Sequence, residues 1–210
     1  MPKVERRRKR SLPAAIALAI SLGLAHVVVA APEKFTFDKN HTEIIFTYSH
    51  VGNSTAYGQF DEYDGDIVID LEKPENSRVN VTIKTASVNT GVEEFNKHLR
   101  SPDFFETEKY PEMTFVSTAV AAAGKTTWRI DGDLTIKGNT KPVTLIAKLN
   151  FKGNHPLGAF LKKYETVHVA GFSATTQLFR SEFGLGMFAP LTDDLVSIIL
   201  ETELFRQDAQ

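Results

Sequence analysis

No cysteine occurs in the 210 residues. That absence removes disulfides, thiolate metal sites, cysteine nucleophiles and the lipid-attachment residue of a bacterial lipoprotein. The hydrophobic core must suffice, and the 180 residues from 31 to 210 are enough for one domain. Also missing are a phosphate-cradling glycine loop, a dinucleotide fingerprint and a G-x-S-x-G nucleophile elbow. Glu93-Glu94 and Asp193-Asp194 are paired carboxylates only as chain neighbours. Along a strand such neighbours point to opposite faces and make poor acid–base pairs. The histidines beyond residue 30 are His41, His50, His98, His155 and His168. None has a partner at i+2 or i+4 beside a third ligand, so no metal site is expected. Nothing reads as catalysis, and no cofactor is expected.

An excess of basic charge is missing too, once the first thirty residues are set aside. Lys3, Arg6, Arg7, Arg8, Lys9 and Arg10 precede an apolar run, Leu12–Val29, and Val28-Val29-Ala30 places small residues at a cleavage site. This reads as a signal peptide cut after Ala30, with a periplasmic or extracellular product. The run is 18 residues, contains Pro13 and Gly23, and lies at the lower limit for a membrane span. Residues 31–210 keep 18 basic and 25 acidic side chains, a formal charge of −7. That balance argues against nucleic acid and against anionic lipid surfaces as partners, because both need a basic face.

What is present is alternation. Ile44, Phe46, Tyr48 and His50 share one strand face. Period-two apolar sets recur at Ile67–Leu71, Val79–Ile83, Trp128–Ile136, Val143–Phe151 and Val196–Leu204, and another strand is expected at Met113–Val120, after the break at Tyr110-Pro111. Asp64-Gly65 and Gly138-Asn139 read as hairpin turns. Gly132 keeps the apolar register and reads as an in-strand glycine at a close crossing. One amphipathic helix is expected, capped by Asn89 or Thr90, carrying Val92, Phe95 and Leu99, and ended by Ser101-Pro102. A second helical turn is expected near Phe104–Lys109, and 152–166 reads as an irregular basic loop. Seven or eight regular strands with one helix argue for an all-β, closed antiparallel barrel, which leaves no exposed edges and can hold one small ligand.

Aromatics are the distinctive resource: fifteen phenylalanines, five tyrosines and Trp128. Phe46, Tyr48, Phe60, Phe104, Phe105, Phe115 and Phe183 sit at strand positions or junctions, where they fill a core or line a cavity. His98, at the helix C-terminus, suits the dipole there. Arg180, beside a glycine turn, reads either as a bidentate anion clamp or as the partner of Glu182 or Asp193.

The chain resembles the YceI-like family of periplasmic, polyisoprenoid-binding, lipocalin-like proteins. The matching segments are Asp38-Lys39-Asn40-His41, His50-Val51-Gly52, Tyr57-Gly58-Gln59-Phe60 and Lys97-His98-Leu99-Arg100-Ser101 with Asp103-Phe104. They continue through Lys109-Tyr110-Pro111, Gly132–Ile136, Thr140–Val143 and Arg180-Ser181 with Phe183-Gly184. The resemblance implies an extended eight-stranded barrel with a helix after strand four. It implies an exported, non-enzymatic carrier for an amphiphilic isoprenoid, a quinone or a polyprenyl phosphate. Phe46, Tyr48, His50, Phe60, His98, Phe104, Phe105, Phe115, Arg180 and Phe183 are the candidate ligand-binding residues. A membrane electron-transport partner, a stress-response role and a homodimer fit the same resemblance. The rival readings are an isoprenoid-modifying enzyme or redox accessory using His50 or His98, and an envelope interaction protein with a packed barrel.

Overall fold

The computed structural model describes residues 31–207; the signal-peptide reading therefore lies outside the described residues. The strands are β1 Glu33–Phe37, β2 Glu43–His50, β3 Ser54–Phe60, β4 Tyr63–Ile69, β5 Arg78–Lys84, β6 Val88–Asn89, β7 Glu112–Ala122, β8 Thr127–Ile136, β9 Asn139–Asn154, β10 His168–Phe179 and β11 Leu195–Arg206. The helix α1, Glu93–Arg100, lies between β6 and β7. All pairings are antiparallel, and the order β1-β4-β5-β7-β8-β9-β10-β11 closes on itself where Phe35 pairs with Arg206 and Phe37 with Leu204. This is the eight-stranded barrel that the alternation predicts.

Three of its eight walls are long and kinked. Past the break at 38–42, β2 continues β1 along β11, with Thr47 opposite Ser197 and Glu43 opposite Glu201. In turn β3 pairs with β2 and extends β4, and β6 pairs with β3 and extends β5. The helix therefore follows the third wall, residues 78–89, rather than the fourth.

The alternating apolar side chains face inward because closure leaves one dry face per strand. Phe35, Ile67, Ile83, Trp128, Ala147 and Leu204 are all buried. One wall, β10, carries no strong alternation: Val169 and Ala170 are both buried, and the register shifts at Gly171/Phe172. The extra residue of this bulge, Asn150, lies on β9, so β10 keeps Ala170, Phe172, Ala174 and Leu178 on one inward face.

Several local expectations are corrected. Asp64-Gly65 is no turn but lies inside β4, where Gly65 is opposite Val81. A Cβ there would collide with the Asn80 carbonyl oxygen, so the glycine serves close approach instead of positive φ. The β8–β9 turn is centred one residue early, at Lys137 (φ 48°) and Gly138 (φ 74°). At Gly132 a Cβ would meet the Phe115 ring and lie 2.7 Å from the Val116 carbonyl oxygen, as an in-strand crossing requires.

Val92 occupies the N-cap position before Glu93, and no side chain caps the helix. Thr90 is committed elsewhere, its hydroxyl and backbone N–H both donating to Asn96 Oδ1 at 2.8 Å. The helical turn expected near Phe104–Lys109 is a single one: residues 101–110 form hydrogen-bonded turns, and Tyr110 N–H donates to the Glu106 carbonyl four residues back. Residues 152–154 belong to β9, and 156–159 and 162–164 are 3₁₀ turns, so the expected loop is more ordered than its composition indicates.

Candidate functional site

The inward faces do not fill the barrel. A cavity of about 240 Å³ is walled almost wholly by aliphatic and aromatic side chains. It reaches from Asp70, Leu71 and Ser77, in the β4–β5 connection, to Arg180 at the other end. We call it the chamber. Beyond Arg180 lies a second cavity of about 310 Å³, the vestibule, roofed by Phe95 and Leu99 of α1 and by the 185–192 loop. Phe46, Phe105, Arg180, Leu185 and Val196 line both, so the two spaces adjoin.

Phe46, Phe60, Phe105 and Phe115 line the chamber. Tyr48, His50, His98 and Phe104 line the vestibule, together with Phe46 and Phe105. The face shared by Phe46, Tyr48 and His50 is thus the inward one, and it runs from chamber to vestibule. Aromatic contacts tie the junction: Phe46 lies 5.7 Å from Phe60, and Phe60 meets Phe105 edge-on at 5.5 Å. Phe183 stands apart. It is 0% exposed, lines neither cavity, and seals the turn after β10.

Arg180 is not the clamp that its position suggests. Its Nε donates to the Asp193 carbonyl (2.9 Å), and Nη1 to the carbonyls of Leu185 and Met187 (2.9 Å for the latter). Its Nη2 donates to the Thr192 carbonyl (2.8 Å) and Thr192 Oγ1 (3.0 Å). A guanidinium has five N–H donors, and all five are taken. None of these acceptors is a carboxylate, which also corrects the pairing with Glu182 or Asp193. Arg180 therefore buckles the 185–194 loop over the barrel end. Burial pushes its pKa down, with Asp194, Tyr48 and Asp193 opposing. Its positive charge still reaches the junction through space.

The vestibule is the more polar space. His98 Nε2 lies 3.2 Å from Asp103 Oδ2, and its ring meets Phe104 edge-on at 5.0 Å and Phe188 at 6.1 Å. Burial raises the pKa of Tyr48, with Arg180 opposing, so its hydroxyl stays a neutral donor. Phe95, Leu185, Phe188 and Thr192 also line this space but escaped the sequence reading. Phe95 carried a signal, the apolar face of the helix. The 185–192 loop has no periodicity by which its members could be found.

One polar cluster lies apart from both cavities. Ligand-type atoms of Asp38, His41 and Glu203 come within 4.8 Å of one another. Asp38 already accepts from His41 Nδ1 (2.7 Å) and from the Asn40 N–H (3.0 Å), which makes the cluster a hydrogen-bonded corner at the β1–β2 kink. Burial works to raise the Asp38 pKa, but the bonds from His41 and Asn40 outweigh it and hold it low. The hydrogen bond and charge of Asp38 raise the pKa of His41.

Known proteins share this architecture. The family model described as YceI-like domain matches residues 35–204. A UPF0312 protein of Pseudomonas savastanoi pv. phaseolicola is 39% identical over 187 residues, 89% of this chain and 93% of its own length. Among solved structures, Burkholderia cenocepacia BcnA matches with TM-score 0.70 and 24% identity, over 80% of this chain and 98% of its own. A polyisoprenoid binding domain from Saccharophagus degradans matches with TM-score 0.60 and 14% identity, over 83% and 99%.

Proposed function

This chain belongs to the YceI-like family, and on that premise we propose that it binds and carries an amphiphilic isoprenoid without chemically altering it. The observation that carries the reading is the apolar chamber continuing into a polar vestibule. An isoprenoid tail gains ~0.8 kcal/mol for each CH₂ hidden from water. Five isoprene units gain on the order of 10 kcal/mol gross, before the ordering of a flexible tail is subtracted. The chamber takes the tail, and Tyr48, His50 and His98 meet the head. Kinship of fold with a polyisoprenoid binding domain supports the same reading.

With every Arg180 donor engaged, the site offers no guanidinium fork for a phosphate, so a neutral, hydrogen-bonding head of the quinone type fits better than a polyprenyl phosphate. The basic and apolar character of residues 1–30 supports export with cleavage after Ala30, and on this reading the carrier works in the periplasm.

Native mass spectrometry of protein taken from its host's envelope without detergent, with solvent extraction of the same sample, tests this. One isoprenoid per chain and an N-terminus at Ala31 are expected. An apo mass that stays unchanged after incubation with quinones and polyprenyl phosphates would sink the carrier reading.

A further inference from the structure

At the end of the barrel opposite the vestibule, the connection from β9 to β10 folds into a compact tip. Gly158 N–H donates to the His155 carbonyl, Leu161 N–H to that of Leu157, and Tyr164 N–H to that of Leu161. The His155 ring lies flat on Tyr164, with centroids 3.9 Å apart and planes within 2°. A segment tied in this way would ordinarily tuck its large apolar side chains inward. Here it holds them out: Phe160 is 82% exposed, Leu157 46% and Leu161 44%.

Lys162 and Lys163 follow directly, and both are exposed. Between residues 155 and 167 the only acidic residue is Glu165. Outside this tip, residues 31–210 carry 24 acidic against 16 basic side chains, so the tip is a local exception to a balance that disfavours anionic surfaces. Met187, Phe188 and Leu191 are also exposed, but acidic Asp193 and Asp194 follow them, whereas the tip sets its bare apolar groups beside a local basic rim.

We propose that this tip is a docking point for the interface of a bilayer containing anionic lipid. Phe160, Leu157 and Leu161 enter the headgroup–acyl boundary, while the two lysines bind lipid phosphates at its rim. Lysine suits that rim, because its aliphatic stem can lie along apolar surface while the ammonium stays wet. Charge complementarity selects this occupant. The area does as well: at these exposures the three side chains present on the order of 350 Å², well short of the ~800 Å² each partner contributes to a stable protein interface. Insertion of three apolar groups beside two cations is enough for reversible membrane contact. Docking by the tip is independent of what the barrel holds. Docking by this end leaves the vestibule facing away from the bilayer.

The absence of cysteine allows a reporter at one site. Ala159→Cys, labelled with an environment-sensitive fluorophore, places the probe beside an intact Phe160. Tyr57→Cys, exposed on β3 toward the other end, is the control. With vesicles of phosphatidylcholine containing phosphatidylglycerol, the probe at 159 should shift to the blue and become shielded from an aqueous quencher, while the probe at 57 should not respond. Phe160→Ser with Leu161→Ser should abolish the shift. Lys162→Glu with Lys163→Glu should weaken it at least about tenfold in lipid concentration. A probe at 159 that stays in water at millimolar lipid overturns the proposal. So does an equal response on pure phosphatidylcholine, or a blue shift without vesicles that grows with protein concentration, which would make a second copy the occupant.

Discussion

The chamber and the vestibule share five lining residues, yet they are built differently. The chamber is made by strands. Each wall contributes side chains at fixed spacing, held by its two neighbours, so its shape belongs to the barrel itself. The vestibule is made by appendages: α1, the turns after it, and the 185–192 loop buckled by Arg180. A cavity cut into a hydrogen-bonded ladder is rigid. One roofed by loops owes its form to a few particular contacts, and those are the places where it can be taken apart.

The largest effect should come from the buckle. Arg180→Met keeps the apolar stem and removes five donors, leaving four carbonyls and one hydroxyl to find other partners. Orphaning a buried ion's partners costs about 3–5 kcal/mol. Urea unfolding should show that loss in the apo protein. Were Arg180 a ligand clamp, the variant would instead keep its stability and lose only affinity. Arg180→Lys should recover part of the loss, having three donors for five acceptors.

The chamber should respond in the opposite sense. Ala147 and Ala174 line it and are buried. Ala147→Phe with Ala174→Phe fills the space a tail would occupy. Isoprenoid uptake should fall more than about tenfold, since the tail supplies most of the gain, while the unfolding free energy changes by about 1–3 kcal/mol because the added volume enters a void. Retained uptake, measured by ligand mass per chain, would place the tail outside the chamber. Gly132→Ala should cost about the same stability by a different route, because its Cβ has no void to enter and meets the Phe115 ring and the Val116 carbonyl.

The same contrast decides what the sequence could reveal. The chamber was legible because closure turns period-two alternation into an inward face. Ile44, Phe46, Trp128, Leu145 and Leu200 could be placed without coordinates, although which of the two faces was inward could not. One wall stayed hidden: β10 is rich in small and polar residues, so its inward set, Ala170, Phe172, Ala174, Thr176 and Leu178, gives little apolar contrast with the outward one. The vestibule was legible only where a helix contributed. Loop 185–192 obeys no period, so Phe188 and Thr192 gave no signal. Arg180 shows the limit from the other side. Sequence could mark it as unusual, but only three dimensions show that its donors are all spoken for.

Within the vestibule the effects should be smaller and should depend on the head group. Tyr48→Phe and His50→Ala each remove one polar group from an open space, and stability should move by less than about 0.5 kcal/mol. Quinone affinity should fall by a few-fold, and affinity for a headless polyprene should not change. Equal losses for both ligands would mean that these residues line the tail's path and do not read the head.

The smallest effect tests whether the kinked wall is independent of either cavity. Asp38 and His41 bond at 2.7 Å where β1 gives way to β2. Asp38 titrates below its ordinary 3.8 when folded, so its share of stability is present above that pH and fades as pH falls through the lowered value. His41 titrates above its ordinary 6.5, so its share is full below 6.5 and fades as pH rises through the raised value. The pair thus contributes most between about pH 4 and 6.5. His41→Asn should flatten the decline in melting temperature above that window and leave ligand uptake at pH 6 untouched. A kink that also shaped the chamber would change uptake together with the melting profile. That coupling is not expected, because β2 on one side of the break and β1 on the other are each held to β11 by their own ladder.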